Sequence, residues 1–336
     1  MVIISSYSTA VILCVVTMLC WGSWANTLKL AKKDWAYSLY YWDYSIGLIL
    51  LALVFGLTLG STGDQGQSFM ENFKTASWSN MGNAFLGGVI FNLSNLLIVA
   101  ATAIAGMSVA FPIAVGLALV IGVLDNYIRK TEGDPVLLFV GVALIVVAII
   151  INSIAYRKHS RNQEQRSSSK GILLSILSGV IMGFFFGFVA KTLPDDFSVV
   201  QQGTLTPYNA VFIFTIGIFL SNFIFNTWFM YKPISGEKVK YSNYFSDGNF
   251  KLHLIGILGG VIWNIGMSFS ILASDAAGPA ISYGLGQGAT MVAAAWGVFV
   301  WKEFKGSSKS TNWLITGMFL SFIIGLAMII IARGVV

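Results

Sequence analysis

Ten runs of apolar residues, each close to twenty long, occupy most of this chain, at roughly 8–28, 37–59, 84–104, 108–128, 135–155, 171–190, 208–230, 252–274, 277–300 and 312–333. A helix needs about 20 apolar residues to cross the hydrocarbon of a bilayer. Inside that hydrocarbon every backbone N–H and C=O must find a partner within the protein, which leaves helices as the spanning element for runs of this length. Only 10% of the 336 residues are charged, against 56% hydrophobic, and a soluble domain carries about 25% charged residues. The expectation is therefore an all-α membrane protein of ten transmembrane helices, with lipid as its main solvent.

Lysine and arginine fall unevenly between the runs. The segments after runs one, three, five, seven and nine hold 15 of them, and the opposite side holds 5: Lys74, Arg129, Lys130, Lys191 and Arg333. Positive residues favour the cytoplasmic side. Both termini are then expected outside, and the polar loop YRKHSRNQEQRSSSK (156–170) in the cytoplasm. The net charge of +6 follows this loop pattern and gives no nucleic-acid platform. No Lys or Arg precedes the first run, and its apolar character continues to about residue 28, so it reads as a span and not as a signal peptide. Trp35, Trp78, Trp228, Trp301 and Trp313 sit near run ends, where indoles anchor helices at the interface.

The segment LGGVIFN (86–92) returns as LGGVIWN (258–264). Shifted by 172 positions, residues 86–116 meet 258–288 without a gap, and ten of the 31 pairs are identical, including Asn92 with Asn264 and Gly106 with Gly278. The central loop 157–170 then divides the chain into residues 1–156 and 171–336, each with five runs. Because five is odd, the second set enters the membrane in the opposite sense, an inverted repeat (5+5). Transporters built this way hold solute near the midplane, where the repeats meet.

Polar groups inside a membrane need a partner or a purpose. Trp21, Ser23 and Asn26 lie in run one; Asn92, Ser94 and Asn95 in run three; Trp263 and Asn264 in run eight; and Ser282, Tyr283, Gln287 and Thr290 in run nine. Amides supply both donors and acceptors, and Trp21 and Trp263 offer faces for a planar ring or a sugar. For Asn92 and Asn264 a bond between helices competes with a role on substrate. Glycines 179, 183 and 187 form a stripe suited to close helix packing. Glycines 284, 286 and 288 either loosen run nine or admit a ligand against its backbone. No Lys or Arg lies mid-run, which favours a neutral solute. Asp43 lies about 9 Å into run two by helix rise; it either couples transport to protons or pairs with Lys29 or Lys33. Asp125 pairs with Arg129 four residues on, and Glu303, between Lys302 and Lys305, reads as solvated.

The two cysteines, Cys14 and Cys20, and the two distant histidines form neither a disulfide framework nor a metal site. No cofactor is expected. HExxH, paired intramembrane aspartates and a Ser–His set within the runs are all absent from the sequence, which argues against a membrane enzyme. A channel would show a filter-like loop or charged rings.

The stretch CWGSWANTLKLAKKDWAYSLYYWDYSIG (20–47), together with the repeated GGVI-aromatic-Asn segments, resembles the ureide permeases. These are relatives of the glucose/rhamnose-type sugar uptake proteins in the drug/metabolite transporter superfamily. The likeness rests on Trp21, Gly22, Ser23, Trp24, Ala25, Asn26, Lys29 and Leu30, and on Tyr41, Trp42, Asp43, Tyr44 and Gly47. It implies a proton-coupled secondary transporter of the plasma membrane, bacterial inner membrane here, carrying a small polar solute such as allantoin, uracil or another nucleobase. The sugar branch carries hexoses or deoxyhexoses, and other members of the superfamily export drugs and metabolites. Plant members carry a long central loop with a phosphate-binding-like motif; here that loop is short and has no GxxxxGK[ST], which implies a bacterial-type relative.

Overall fold

The computed structural model describes residues 1–31, 35–159, 169–233 and 237–334. Among them nine helical segments are long and apolar enough to cross a membrane. The first is α1 (Tyr7–Ser23) continued by the short α2 (Asn26–Leu30), and the next is α3 (Tyr37–Leu57). After the small α4 (Phe69–Thr75) come α5 (Trp78–Ala105), α6 (Met107–Arg129), α7 (Pro135–His159) and α8 (Ser169–Ala190). Helix α9 (Pro207–Asn222) continues as α10 (Phe225–Tyr231), and the short α11 (Tyr241–Ser246) leads into α12 (Phe250–Ala277). The last is α15 (Lys309–Gly334). The expected loop 157–170 lies mostly outside the described residues, as do Lys32, Lys33, Arg161 and Arg166.

The expected run 277–300 is not one helix. It is α13 (Pro279–Gly286), α14 (Ala289–Ala295) and a π-helical turn at Trp296–Val300. The break falls at Gln287 and Gly288. Glycine is a poor helix former, and here two glycines also serve contact. A methyl at Gly286 would lie 2.9 Å from the Trp21 ring, and one at Gly288 2.4 Å from the Met18 sulfur.

Gly106 and Gly278 join α5 to α6 and α12 to α13 in single-residue turns, with φ of 80° and 83°. That backbone region favours glycine, which has no Cβ to clash. The two hairpins take the same shape 172 residues apart.

Packing between the halves is reciprocal. Helix α5 lies against α8 and α9, and α12 lies against α1 and α3. Backbones meet without side chains between them: methyls at Gly88 and Gly217 would lie 2.0 Å from the Phe214 carbonyl oxygen and 2.2 Å from that of Phe85. Gly260 and Gly47 stand in the same relation to Tyr44 (2.0 Å) and Ile257 (2.2 Å). Beside each contact an asparagine amide bridges the helices. Asn92 Nδ2 donates to the Ile218 carbonyl (3.2 Å) and to Ser221 Oγ (2.7 Å), and Asn264 Nδ2 donates to the Leu48 carbonyl (2.8 Å). The stripe of Gly179, Gly183 and Gly187 is spent on α6, against Ala114, Ile121 and Asp125. Trp78, Trp228, Trp301 and Trp313 are exposed, as anchors should be, but Trp35 is buried against Tyr244 and His253.

Gly88→Ala should cost about 1–3 kcal/mol through overpacking, read as a lower melting temperature in detergent. Gly82, with open space around it, is the control on the same helix: Gly82→Ala should leave the melting temperature unchanged or raise it.

Candidate functional site

A cavity of about 260 Å³ opens in the middle of the bundle. It runs from mid-helix toward the end where α5 and α7 finish and α6 and α8 begin, here called the Tyr156 end. The opposite end, where α6 and α8 finish, is the Arg129 end. The cavity floor is aromatic. Trp21 and Trp263 stack with ring centroids 5.5 Å apart and planes 16° apart, and Trp21 Nε1 donates to the Trp263 carbonyl at 3.1 Å. Gly266 and Gly286 leave the space that the Trp21 ring fills. Phe91 meets Trp263 at 4.5 Å, so the one position at which the repeated heptapeptides differ is where they touch.

Polar groups stand above this floor. Asn95 donates from Nδ2 to Tyr41 Oη at 3.0 Å. Asn152 on α7 and Gln287 at the break after α13 face the cavity, and neither side chain has a hydrogen-bond partner among the described residues. Each amide offers two donors and an acceptor. No Asp, Glu, Lys or Arg lines the cavity among the described residues.

The mouth at the Tyr156 end carries a latch. Glu303 accepts from Tyr156 Oη (2.7 Å) and pairs with Lys29 Nζ (2.9 Å), which lies 4.4 Å over the Trp301 ring. Glu303 is thus bonded, where its sequence neighbours suggested a solvated residue. Burial acts upward on its carboxyl, but the bonds from Tyr156 and Lys29 and the Lys29 charge outweigh it and hold the pKa below the usual range. Trp296 Nε1 donates to Ser23 Oγ (2.8 Å) and Trp301 Nε1 to Asn26 Oδ1 (2.7 Å). Ser23 and Asn26 therefore fasten the segment after α14 to the end of the first span.

Asp43 has a fully buried side chain. His253 Nδ1 lies 3.0 Å from each carboxylate oxygen, and Tyr244 Oη donates a short bond to Oδ1. Among the described residues its partner is this histidine: Lys29 is engaged with Glu303, and Lys33 lies outside the described residues. Tyrosines separate the pair from the cavity. Tyr44 packs on the cavity residue Trp24 at 4.9 Å, and Tyr41 holds Asn95.

The expected site residues therefore divide. Trp21, Asn95, Trp263 and Gln287 line the cavity. Asn92 and Asn264 bond between helices, while Ser282 donates to the Ser270 carbonyl (2.7 Å) and Tyr283 to that of Ala118 (3.1 Å), all outside the cavity lining. Sequence reasoning passed over Asn152 and Tyr156. Their signal was the polar interruption Asn152–Ser153 in an otherwise unbroken apolar run. It also passed over His253 and Tyr244, which nothing local links to Asp43.

The ureide permease signature matches residues 40–170 and 165–332. The chain belongs to the ureide permease family. Ureide permease 1 and ureide permease 2 of Arabidopsis thaliana are each 24% identical to it, over 99% of this chain and 99% of their own. A Listeria innocua protein named for sugar uptake is 24% identical over 83% of this chain and 88% of its own. A crystal structure with 14% identity shares the fold, with a TM-score of 0.62 over 98% of this chain and 99% of that one. As a member of the ureide permease family, the chain is a multi-pass membrane transporter for a small molecule.

A carboxyl held below its usual pKa adds stability above its unfolded value and loses it as pH falls through the folded one. Acidification from pH 7 to below the ordinary glutamate range, about 4.3, should therefore lower the melting temperature of the native protein more than that of Glu303→Gln. Equal losses would show that the latch contributes nothing to stability.

Proposed function

We propose that this chain is a secondary carrier that imports a small neutral solute of the ureide or nucleobase type by alternating access, with protons as the coupling ion. The observation that carries this reading is the pairing of an indole floor with two amides, Asn152 and Gln287, unpartnered among the described residues, in a cavity that no charged side chain among those residues lines. A planar ring bearing N–H and C=O groups would stack on the indoles and satisfy both amides at once. An ionised solute would find no counter-charge there among the described residues. The discontinuity at Gln287 supports the same reading, because irregular backbone inside a membrane is tolerated where it lines a cavity.

Alternating access needs two halves that can rock on each other. The reciprocal contacts of α5 and α12, the matched glycine hairpins and the paired asparagine bonds support residues 1–156 and 171–336 as the two members of an inverted repeat, with α13, α14 and the π turn as the tenth span. The excess of Lys and Arg supports a bacterial inner-membrane orientation with both termini outside and loop 157–170 in the cytoplasm. The cavity would then face the cytoplasm.

Proton coupling is assigned to Asp43. Its ionised carboxylate holds both His253 and Tyr244; protonation would release one of them and loosen α3 from α12 and α11. A sugar is the second reading, favoured by the stacked indoles and by the relatives named for sugar uptake.

A thermal-shift screen of purified protein against uracil, allantoin, glucose and rhamnose separates these readings. Uracil or allantoin should stabilise the protein, and Gln287→Leu should erase the shift; stabilisation by sugars alone would overturn the ureide reading. In proteoliposomes, Asp43→Asn should abolish accumulation driven by a pH gradient while sparing solute exchange. Accumulation at the native level would remove Asp43 from the mechanism.

A further inference from the structure

A second cavity, of about 350 Å³, opens at the Arg129 end between the ends of α6, α8 and α12 and the start of α13. Helices α6, α8 and α12 also wall the central cavity, as does Gln287 just past the end of α13, and the registers line up. On α6, Ala118 faces the central cavity, Asn126 faces the second, and Gly122 lies between them. On α8 the same spacing gives Met182, Phe186 and Ala190; across the break into α13 it gives Gln287, Tyr283 and Pro279. Residues four apart share a helix face, so each series is one continuous stripe. Eight residues of helix rise separate the two cavities by about 12 Å.

One layer fills that interval. Tyr283 is fully buried, with its ring 5.3 Å from Phe186 and 6.0 Å from Phe185. Gly122 leaves it room, since a methyl there would lie 2.2 Å from the Tyr283 ring. A single hydrogen bond fixes the ring, from Tyr283 Oη to the Ala118 carbonyl at 3.1 Å. Two phenylalanine rings and a glycine lie against it, groups past which a ring can swing without stranding a charge. Beyond the layer, Asn126 is fully buried in the wall of the second cavity. Its Nδ2 donates to the Gly122 carbonyl (2.7 Å), while its Oδ1 has no partner among the described residues. A buried acceptor left open in a cavity wall suits a solute N–H or a water.

We propose that Tyr283 is the gate between the two cavities, and that the second cavity is the solute's entry site, with Asn126 Oδ1 its first hydrogen-bond acceptor. This rests on the carrier reading above, and it gives Tyr283 a place on the path in place of direct substrate binding.

The test uses the full chain in proteoliposomes, in a Cys14→Ser, Cys20→Ser background, with a membrane-impermeant methanethiosulfonate applied at the Arg129 end. Lys191→Cys reports the second cavity and Thr290→Cys the central one. Lys191→Cys should react quickly and Thr290→Cys slowly. Adding Tyr283→Ala should bring Thr290→Cys up to the rate of Lys191→Cys, and Phe186→Ala should do the same should the tyrosine variant fail to fold. Tyr283→Phe, which keeps the ring, should leave it slow. If Thr290→Cys reacts at one rate with and without the aromatic layer, the gate is overturned. Asn126→Leu should slow solute entry from the Arg129 end several-fold; unchanged entry removes the entry site. Labelling needs no solute, so it judges the gate separately from the carrier reading. That reading fails instead if neither uracil nor allantoin protects Thr290→Cys from reagent added at the Tyr156 end.

Discussion

Backbone-to-backbone contact between the halves is the constraint on which the other features depend. In lipid there is no hydrophobic drive between helices, because acyl chains are as apolar as leucine. Association must come from close packing and from polar groups that prefer protein to hydrocarbon. Gly88, Gly217, Gly47 and Gly260 let carbonyls approach to distances that any side chain would block. The amides of Asn92 and Asn264 then bond across the same seams. With α5 and α12 pinned in this way, Phe91 and Trp263 are held in contact at the centre, and the cavity floor follows from that contact.

Much of the fold was legible because its determinants are local. Run length and apolarity give the spans, and nine of them stand as helices among the described residues. Run nine departed from a single helix because its glycines serve packing on Trp21 and Met18, a demand set by residues far away in sequence. The site was legible only in part, for the same reason. Trp21, Asn95, Trp263 and Gln287 could be named from polarity within apolar runs. That rule cannot tell an amide that binds a helix from one that faces a void. Asn92 and Gln287 look alike in sequence, and only the partner across the seam, Ile218 for one and open cavity for the other, separates them. The partners of Asp43 were hidden further still, since His253 follows it by 210 residues.

The chemistry is distributed along the bundle in a way that follows from electrostatics. These charged pairs sit toward the ends: Lys29 with Glu303, and Asp43 with His253, at one pole; Asp125 with Arg129 at the other. The middle holds aromatic rings and amides. A charge at mid-membrane would be costly unless paired, and a permanent pair inside the cavity would compete with a neutral solute for its hydrogen bonds.

This separation raises the question of how a charge change at Asp43 would be felt at the cavity. The tyrosines of α3 give a physical answer. Tyr40 and Tyr41 each stack on Tyr44 next to Asp43, with Tyr41 and Tyr44 at 5.2 Å. Tyr41 accepts from the cavity residue Asn95, and Tyr44 packs on the cavity residue Trp24. The same helix carries Gly47, whose contact with the Ile257 carbonyl is one of the seams between the halves. Asp43 and Gly47 are one helical turn apart, so a shift of α3 that relieves a neutralised Asp43 must act on that seam as well as on the cavity wall. Close-packed contacts of this kind adopt discrete arrangements and do not deform smoothly. Under the proposed coupling, a proton at Asp43 would bias the seam between the halves without approaching the solute.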